Sequence, residues 1–145
     1  LDFEPEVILA SYHGLPKEYV DKGDPYQCQC MDTSDALREA LGPLGDALKT
    51  TFQSRFGRAE WLQPYTDKTV EALARDGVKR MVILTPGFAA DCVETLEEID
   101  GEAREIFLEH GGEQFSSIPC LNDSDDGIRV LVHLIERELK GWIKA

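Results

Sequence analysis

His13 follows the apolar run Val7-Ile8-Leu9-Ala10-Ser11-Tyr12 and precedes Gly14. An imidazole changes charge near neutral pH, so it can take a proton or bind a metal there. The run before it is too short for a helix and ends at a glycine, which predicts a buried strand opening into a loop. Ligands of α/β sheets bind beyond the carboxyl ends of strands, where His13 would stand. A loop histidine that only hydrogen-bonds a backbone carbonyl fits the position as well.

Glu94, Glu98 and Glu102 recur at i, i+4 and i+8, with Glu97, Glu105 and Glu109 close by. On an α-helix this spacing stacks three carboxylates on one face. Like charges so placed cost about 0.2–0.5 kcal/mol per pair, so the stripe does not help the helix. Divalent cations would offset the repulsion, and a stepped row of carboxylates can pass an ion along. A solvated face in an acidic protein is the more ordinary explanation. Glu94 stands apart because it falls near the start of its helix, beside a strand end. Burial there would raise its pKa and suit it to proton transfer. Asp91 is expected to be the helix N-cap.

Phe56, Trp61 and Leu62 place exposed apolar bulk on one loop. Such a loop can pack on a flat aromatic ligand, touch a membrane surface, or fold back on the core. The cysteines are Cys28, Cys30, Cys92 and Cys120. Four thiols can hold an iron–sulfur cluster, but Cys28-x-Cys30 lacks the usual CxxC spacing and nothing in the spacing brings the others to it. His110 is expected to cap a helix C-terminus, and His133 to lie on the polar side of the last helix.

The elements that must position these residues alternate between strand and helix. Strands are predicted at Val7–Tyr12, Leu48–Ser54, Arg80–Thr85 and, more weakly, Gln114–Pro119. After the first strand comes a long loop with Pro16 and Gly23-Asp24-Pro25. A helix capped by Thr33 or Ser34 then runs to about Leu44, with Ala36, Leu37, Ala40, Leu41 and Leu44 as its stripe. A second helix is capped by Thr66, buries Val70, Leu73 and Ala74, and ends at Gly77. A third runs from about Asp91 to His110, stopped by Gly111-Gly112. The last opens at Asn122 and Asp123 and carries the stripe Ile128, Leu131, Leu134, Ile135, Leu139 and Trp142. This order predicts an α/β three-layer sandwich with a mainly parallel four-stranded sheet and helices on both faces. No glycine-rich phosphate fingerprint appears at the strand ends, which argues against a dinucleotide site.

The 145 residues suit one domain. Net charge is −13, from 15 Lys and Arg against 28 Asp and Glu. Such a chain repels phosphate backbones, so nucleic acid is not an expected partner. No apolar run approaches the roughly 20 residues of a spanning helix. No signal peptide or initiator Met opens the sequence, so a processed or excised chain with a missing part upstream is expected.

Five segments now stand together: Ser11-Tyr12-His13-Gly14-Leu15-Pro16, Gly23-Asp24-Pro25-Tyr26, Gln53-Ser54-Arg55-Phe56-Gly57, Trp61-Leu62-Gln63-Pro64, and Gly87 through Leu96. In order and spacing they resemble the C-terminal half of ferrochelatases, from about Val7 to Trp142. The resemblance implies a chelatase fold of two similar α/β halves with the porphyrin between them. It implies insertion of Fe²⁺ into protoporphyrin IX with loss of two pyrrole protons, the last step of haem biosynthesis. His13 matches the family's active-site histidine and Glu94 the carboxylate facing it. Glu98 and Glu102 match acidic residues leading away from the pocket, proposed as a metal or proton route. His13, Glu94, Glu98 and Glu102 are thus the candidate metal ligands. Trp61, Asp91, Ser11, Tyr12, Gln53, Ser54 and Phe56 match the pocket or its lip.

Fe²⁺ is implied as substrate, and no resident cofactor is expected to be required. Some relatives carry a [2Fe–2S] cluster, for which Cys28, Cys30 and Cys120 are the candidates in this chain. Cys92 stands where many relatives have histidine. The expected partners are porphyrin, ferrous iron and the N-terminal half of the same enzyme, without which the 145 residues are expected to be inactive. The expected location is the cytoplasm, with a peripheral contact to the inner membrane left open. The alternatives are a related chelatase using another metal or tetrapyrrole, and a non-catalytic haem- or metal-binding module.

Overall fold

A computed structural model describes residues 1–142. Four strands form one sheet in the order β2-β1-β3-β4: β1 (Val7–His13), β2 (Leu48–Gln53), β3 (Arg80–Leu84) and β4 (Gln114–Ser117). Every pairing is parallel, with His13 beside Gln53 and Ala10 beside Leu84. β1 is central and buried on both faces, which is why it reads as an apolar run without alternation.

Side-chain parity divides the core. Val7, Leu9, Met81, Ile83 and Phe115 meet Val70, Ala74, Ile99, Ala103 and Phe107 on one face. Ile8, Ala10, Tyr12, Leu48, Phe52 and Val82 meet Cys30 and Leu62 on the other. Each fully buried Leu, Ile or Phe contributes about 1.5–3 kcal/mol by leaving water. Helices lie on both faces, as the strand and helix order predicts.

Several boundaries differ from the sequence reading. After the short α1 (Lys17–Asp21), α2 spans Tyr26–Leu41, starting well before Thr33. Pro25 presets the entry, and the Asp24 carboxylate accepts the Tyr26 N–H at 2.9 Å. Cys28 and Cys30 are therefore helical. Ser34 caps nothing; it is fully buried and bonds the Tyr12 and Thr50 hydroxyls at 3.0 and 2.8 Å. The helix ends at Gly42, so Leu44 lies beyond it in a 3₁₀ turn and is exposed.

α3 (Thr66–Arg75) buries Val70 and Ala74, and Gly77 follows it at φ +96°. Tyr65, not Thr66, is its N-cap. The Thr66 hydroxyl instead bonds Thr51 at 2.9 Å and lies 2.8 Å from that of Ser11, tying α3 under the sheet.

The third predicted helix is three pieces: α4 (Val93–Thr95), a π-helical stretch (Leu96–Ala103) and α5 (Arg104–Glu109). Its wider turn breaks the register on which the three-glutamate stack was reckoned. His110 closes α5 with Nδ1 2.8 Å from the Ile106 carbonyl.

α6 (Asp125–Glu138) is capped by Ser124, which accepts from the Gly127 N–H at 3.1 Å, rather than by Asn122 or Asp123. Its stripe is not buried. Ile128, Leu131, Leu134, Ile135 and Leu139 are 38–54% exposed and Trp142 is 88% exposed. Among the described residues, α6 buries only Gly127, and no helix is long and apolar enough to cross a membrane.

Candidate active site

His13 closes β1, at the carboxyl edge of the sheet. Its Nδ1 lies 2.7 Å from the Gly14 carbonyl, an acceptor only. In the neutral ring Nδ1 therefore carries the proton, and Nε2 keeps a free lone pair. The backbone around it is fixed on both sides. The Tyr26 hydroxyl donates to the His13 carbonyl at 2.9 Å, and the Gly14 N–H donates to the Gln53 carbonyl at 2.6 Å. Burial pushes the Tyr26 phenol upward, so it stays a donor at any ordinary pH. The Phe88 ring faces the imidazole at 6.3 Å between centroids.

Trp61 folds back beneath this edge. It is 6% exposed, and its Nε1 donates to the Phe56 carbonyl at 3.0 Å. A side chain at position 14 would meet the Trp61 ring at 3.0 Å and the Gln53 carbonyl at 2.7 Å, so glycine is required there. Leu62 is also buried, so of the alternatives for this loop Trp61 and Leu62 take the one that folds back on the core. Phe56 is the exposed member, at 73%, with its ring 4.9 Å from that of Trp61.

Ser11, Tyr12 and Gln53 lie under the site and are buried. Ser11 donates to the Gln53 Oε1 at 2.8 Å, and the Gln53 amide nitrogen donates to the Glu94 carbonyl at 2.7 Å. They brace the neighbours of the site from below.

Glu94 is half-buried in α4. Its carboxyl is held below the ordinary glutamate range, first by the Cys92 side chain, then by its own backbone N–H and the nearby His13 imidazole. The expected upward shift from burial does not occur, because these donors outweigh desolvation. Cys92, not Asp91, is the N-cap. Its backbone N–H donates to the Thr95 hydroxyl at 3.0 Å, and its thiol accepts from Thr95 in return. Asp91 accepts from the Asn122 amide at 2.7 Å, from Thr95 at 3.0 Å and from the Cys120 N–H at 3.2 Å. These bonds hold Asp91 below the usual aspartate range, the Asn122 amide foremost. Asn122 did not stand out in the sequence as part of the site.

The remaining glutamates divide. Glu98 accepts from the Ser54 N–H at 2.6 Å and from its hydroxyl at 2.5 Å. Ser54 sits at φ +61°, an uncommon conformation for a residue with a side chain, and Glu98 clasps both of its donors. Glu102 is exposed. A pocket of about 210 Å³ lies beside them, lined by Arg55, Asp67, Glu98, Glu102 and Ile106. His13 and Glu94 do not line it. Arg55 pairs with Asp67 through two bonds of 2.7 and 2.8 Å, and its guanidinium lies 4.2 Å from the Tyr65 ring centre.

Among the described residues, no three of the His, Cys, Asp and Glu side chains gather into a metal cage. The thiols are also apart in environment. Cys28 is exposed, Cys30 is buried against Tyr26, and Cys120 lies 3.5 Å from the Thr85 hydroxyl.

At the sheet edge, then, stand the His13 imidazole, anchored through Nδ1, and beside it a carboxylate held below its ordinary range. Two such donors can bind a cation loosely or take protons, and they leave open most of the four or more positions a resident metal fills. The ferrochelatase family profile matches residues 2–139. The chain is 63% identical over 143 residues to a ferrochelatase of Rhodopseudomonas palustris (strain TIE-1), covering 99% of this chain and 41% of that protein. It is 64% identical to one from Allorhizobium ampelinum and 62% identical to one from Rhizobium meliloti, each over 99% of this chain and 42% of the relative. The chain thus spans about two fifths of the length of the curated relatives it matches. With that match running through every segment of the site, the chain belongs to the ferrochelatase family.

Proposed function

We propose that the full-length protein to which this chain belongs inserts Fe²⁺ into protoporphyrin IX, losing two pyrrole protons to give protohaem, the last step of haem biosynthesis. The observation that carries this reading is the His13 imidazole at the carboxyl edge of the sheet, anchored through Nδ1, with the Glu94 carboxyl held below its ordinary range beside it. Metal entry into a porphyrin must release two N–H protons, so the reaction needs a base and a donor for the arriving cation. His13 and Glu94 supply both kinds of group. A pocket complementary to a bent macrocycle would expose its nitrogen lone pairs.

The other wall of the pocket belongs to the rest of the protein, which we assign as the cover of the exposed apolar sides of α6. The chain spans only about two fifths of its relatives, so a large part is available for that role. We place the protein in the cytoplasm, with Phe56 as a point of peripheral contact with the inner membrane.

The test is anaerobic Fe²⁺ insertion into protoporphyrin IX by the full-length protein, followed by absorbance, wild type beside His13→Ala. Turnover by wild type and its loss in the variant is the expected result. Turnover that survives the substitution would move the chemistry away from His13. No turnover by the folded full-length protein with any porphyrin would overturn the reading. The 145-residue chain alone is expected to show none.

A further inference from the structure

Asn122 lies in the loop after β4, 28 residues beyond Glu94, and makes no hydrogen bond to His13 or Glu94. It is nevertheless bonded to one short segment three times over. Its backbone N–H donates to the Ala89 carbonyl at 3.0 Å. Its Oδ1 accepts the Asp91 backbone N–H at 2.8 Å, and its Nδ2 donates to the Asp91 carboxylate at 2.7 Å. Asn122 adopts φ +50°, which Asn tolerates better than most side chains. The other Asp91 oxygen takes the Thr95 hydroxyl at 3.0 Å, and that hydroxyl takes the Cys92 N–H at 3.0 Å. Asp91, Cys92 and Thr95, which bracket Glu94, are thereby linked to one amide side chain in the loop after β4.

We propose that Asn122 is a positioning residue for Glu94, acting through Asp91 and the Cys92–Thr95 turn. An amide is the side chain this place requires. It must accept from a backbone N–H and donate to a carboxylate at once, and only a carboxamide offers both groups at fixed geometry. α4 is a single turn ahead of a π-helical stretch and has little hydrogen bonding of its own to hold Glu94 still. The clamp supplies that rigidity from outside the helix. The consequence for catalysis rests on the chelatase reading above; the consequence for the turn does not.

The experiment uses the full-length protein with Asn122→Ala and Asn122→Asp. In the alanine variant, kcat falls by about 10-fold to 100-fold while KM for porphyrin moves by less than about 2-fold, because Asn122 acts on Glu94 only through the turn. Asn122→Asp sets a carboxylate against Asp91 at neutral pH, with the Cys92 and Cys120 thiols as the other titratable groups near the clamp. Once protonated, that new acid can again donate to Asp91. The activity ratio of this variant to wild type is therefore level near neutral pH and rises as pH falls from about 6 toward about 4.5, while the ratio for Asn122→Ala stays flat. A merely structural loop contact would lower both ratios evenly. Amide hydrogen exchange supplies a readout free of activity: residues 91–95 lose protection in Asn122→Ala while the β1 and β3 amides keep theirs. Unchanged exchange at 91–95 overturns the clamp even if the protein proves not to be a chelatase. Loss of porphyrin KM rather than kcat overturns the positioning role while leaving the chelatase reading intact.

Discussion

The side chain of Gln53 joins the end of β2 to the turn that carries Glu94: its amide nitrogen donates to the Glu94 carbonyl at 2.7 Å, while its oxygen accepts from Ser11. Gln53 is 2% exposed, so water cannot replace either bond. Gln53→Leu keeps most of the volume and leaves the Ser11 hydroxyl and the Glu94 carbonyl without these partners. The expected cost is about 1–3 kcal/mol, read from urea unfolding of the full-length protein. Iron insertion should fall with it, because the Glu94 backbone loses its tie to the strand beside His13. A change within about 0.5 kcal/mol would show that the pair contributes nothing.

Gly14 is the second fixed point. Its hydrogen would be replaced in Gly14→Ala by a methyl 2.7 Å from the Gln53 carbonyl, a backbone atom that cannot rotate away. The neighbouring Trp61 ring, at 3.0 Å, is itself buried and pinned by its bond to Phe56. Overpacking of this kind costs about 1–3 kcal/mol. It would also push His13 off the end of β1, so thermal stability and turnover should both drop. A variant with wild-type melting temperature and turnover would contradict the close packing.

Strands β1 and β3 were legible because buried parallel strands are short apolar runs bounded by turn residues. α3 was legible through the burial of Val70 and Ala74 and the stop at Gly77. The start of α2 was not, because the signal was Asp24-Pro25 ahead of Tyr26, while Thr33 and Ser34 drew attention as caps and one of them proved buried. The glutamate spacing assumed 3.6 residues per turn, and the π-helical stretch from Leu96 is invisible to that assumption. Trp61 could not be placed because its burial depends on the missing side chain of Gly14, a contact across the sheet edge rather than along the sequence. The placement of His13 at the end of a strand, with Glu94 near it, was legible from strand-end position. Asn122 was not, since its partner Asp91 lies 31 residues away and only the fold brings them together.

Glu98 and Glu102 look equivalent in sequence and are expected to differ sharply in effect. Glu98 holds the N–H and hydroxyl of Ser54 at positive φ, so Glu98→Ala removes two charge-assisted bonds and should cost about 1.5–3 kcal/mol for the two together, the half-buried setting reducing each. Glu102 is exposed, and Glu102→Ala should stay within about 0.5 kcal/mol. Ser54→Gly in the Glu98→Ala background should recover part of the loss, because glycine adopts positive φ without strain. Urea midpoints of the three variants decide it. Equal losses for Glu98→Ala and Glu102→Ala would mean that the acidic row acts as one unit.

Asp67 gives a prediction in pH. The Arg55 guanidinium bonds both of its oxygens and holds its carboxyl below the ordinary aspartate range. A carboxyl whose pKa is lower folded than unfolded stabilises the fold above its unfolded value, near about 3.9, and loses that contribution as pH falls through the folded value. The stability difference between wild type and Asp67→Asn should therefore be level from about pH 7 to about pH 5 and shrink below about pH 4. The side chains are 35% and 37% exposed, so the plateau should not exceed about 1 kcal/mol. Arg55→Lys keeps the charge but loses the two-pronged grip and the stacking on Tyr65, and should retain only part of the plateau. Urea unfolding at a series of pH values measures all three proteins. A difference that widened toward acid would mean that Asp67 is stabilised in its protonated form and that the pair is not ionic in solution.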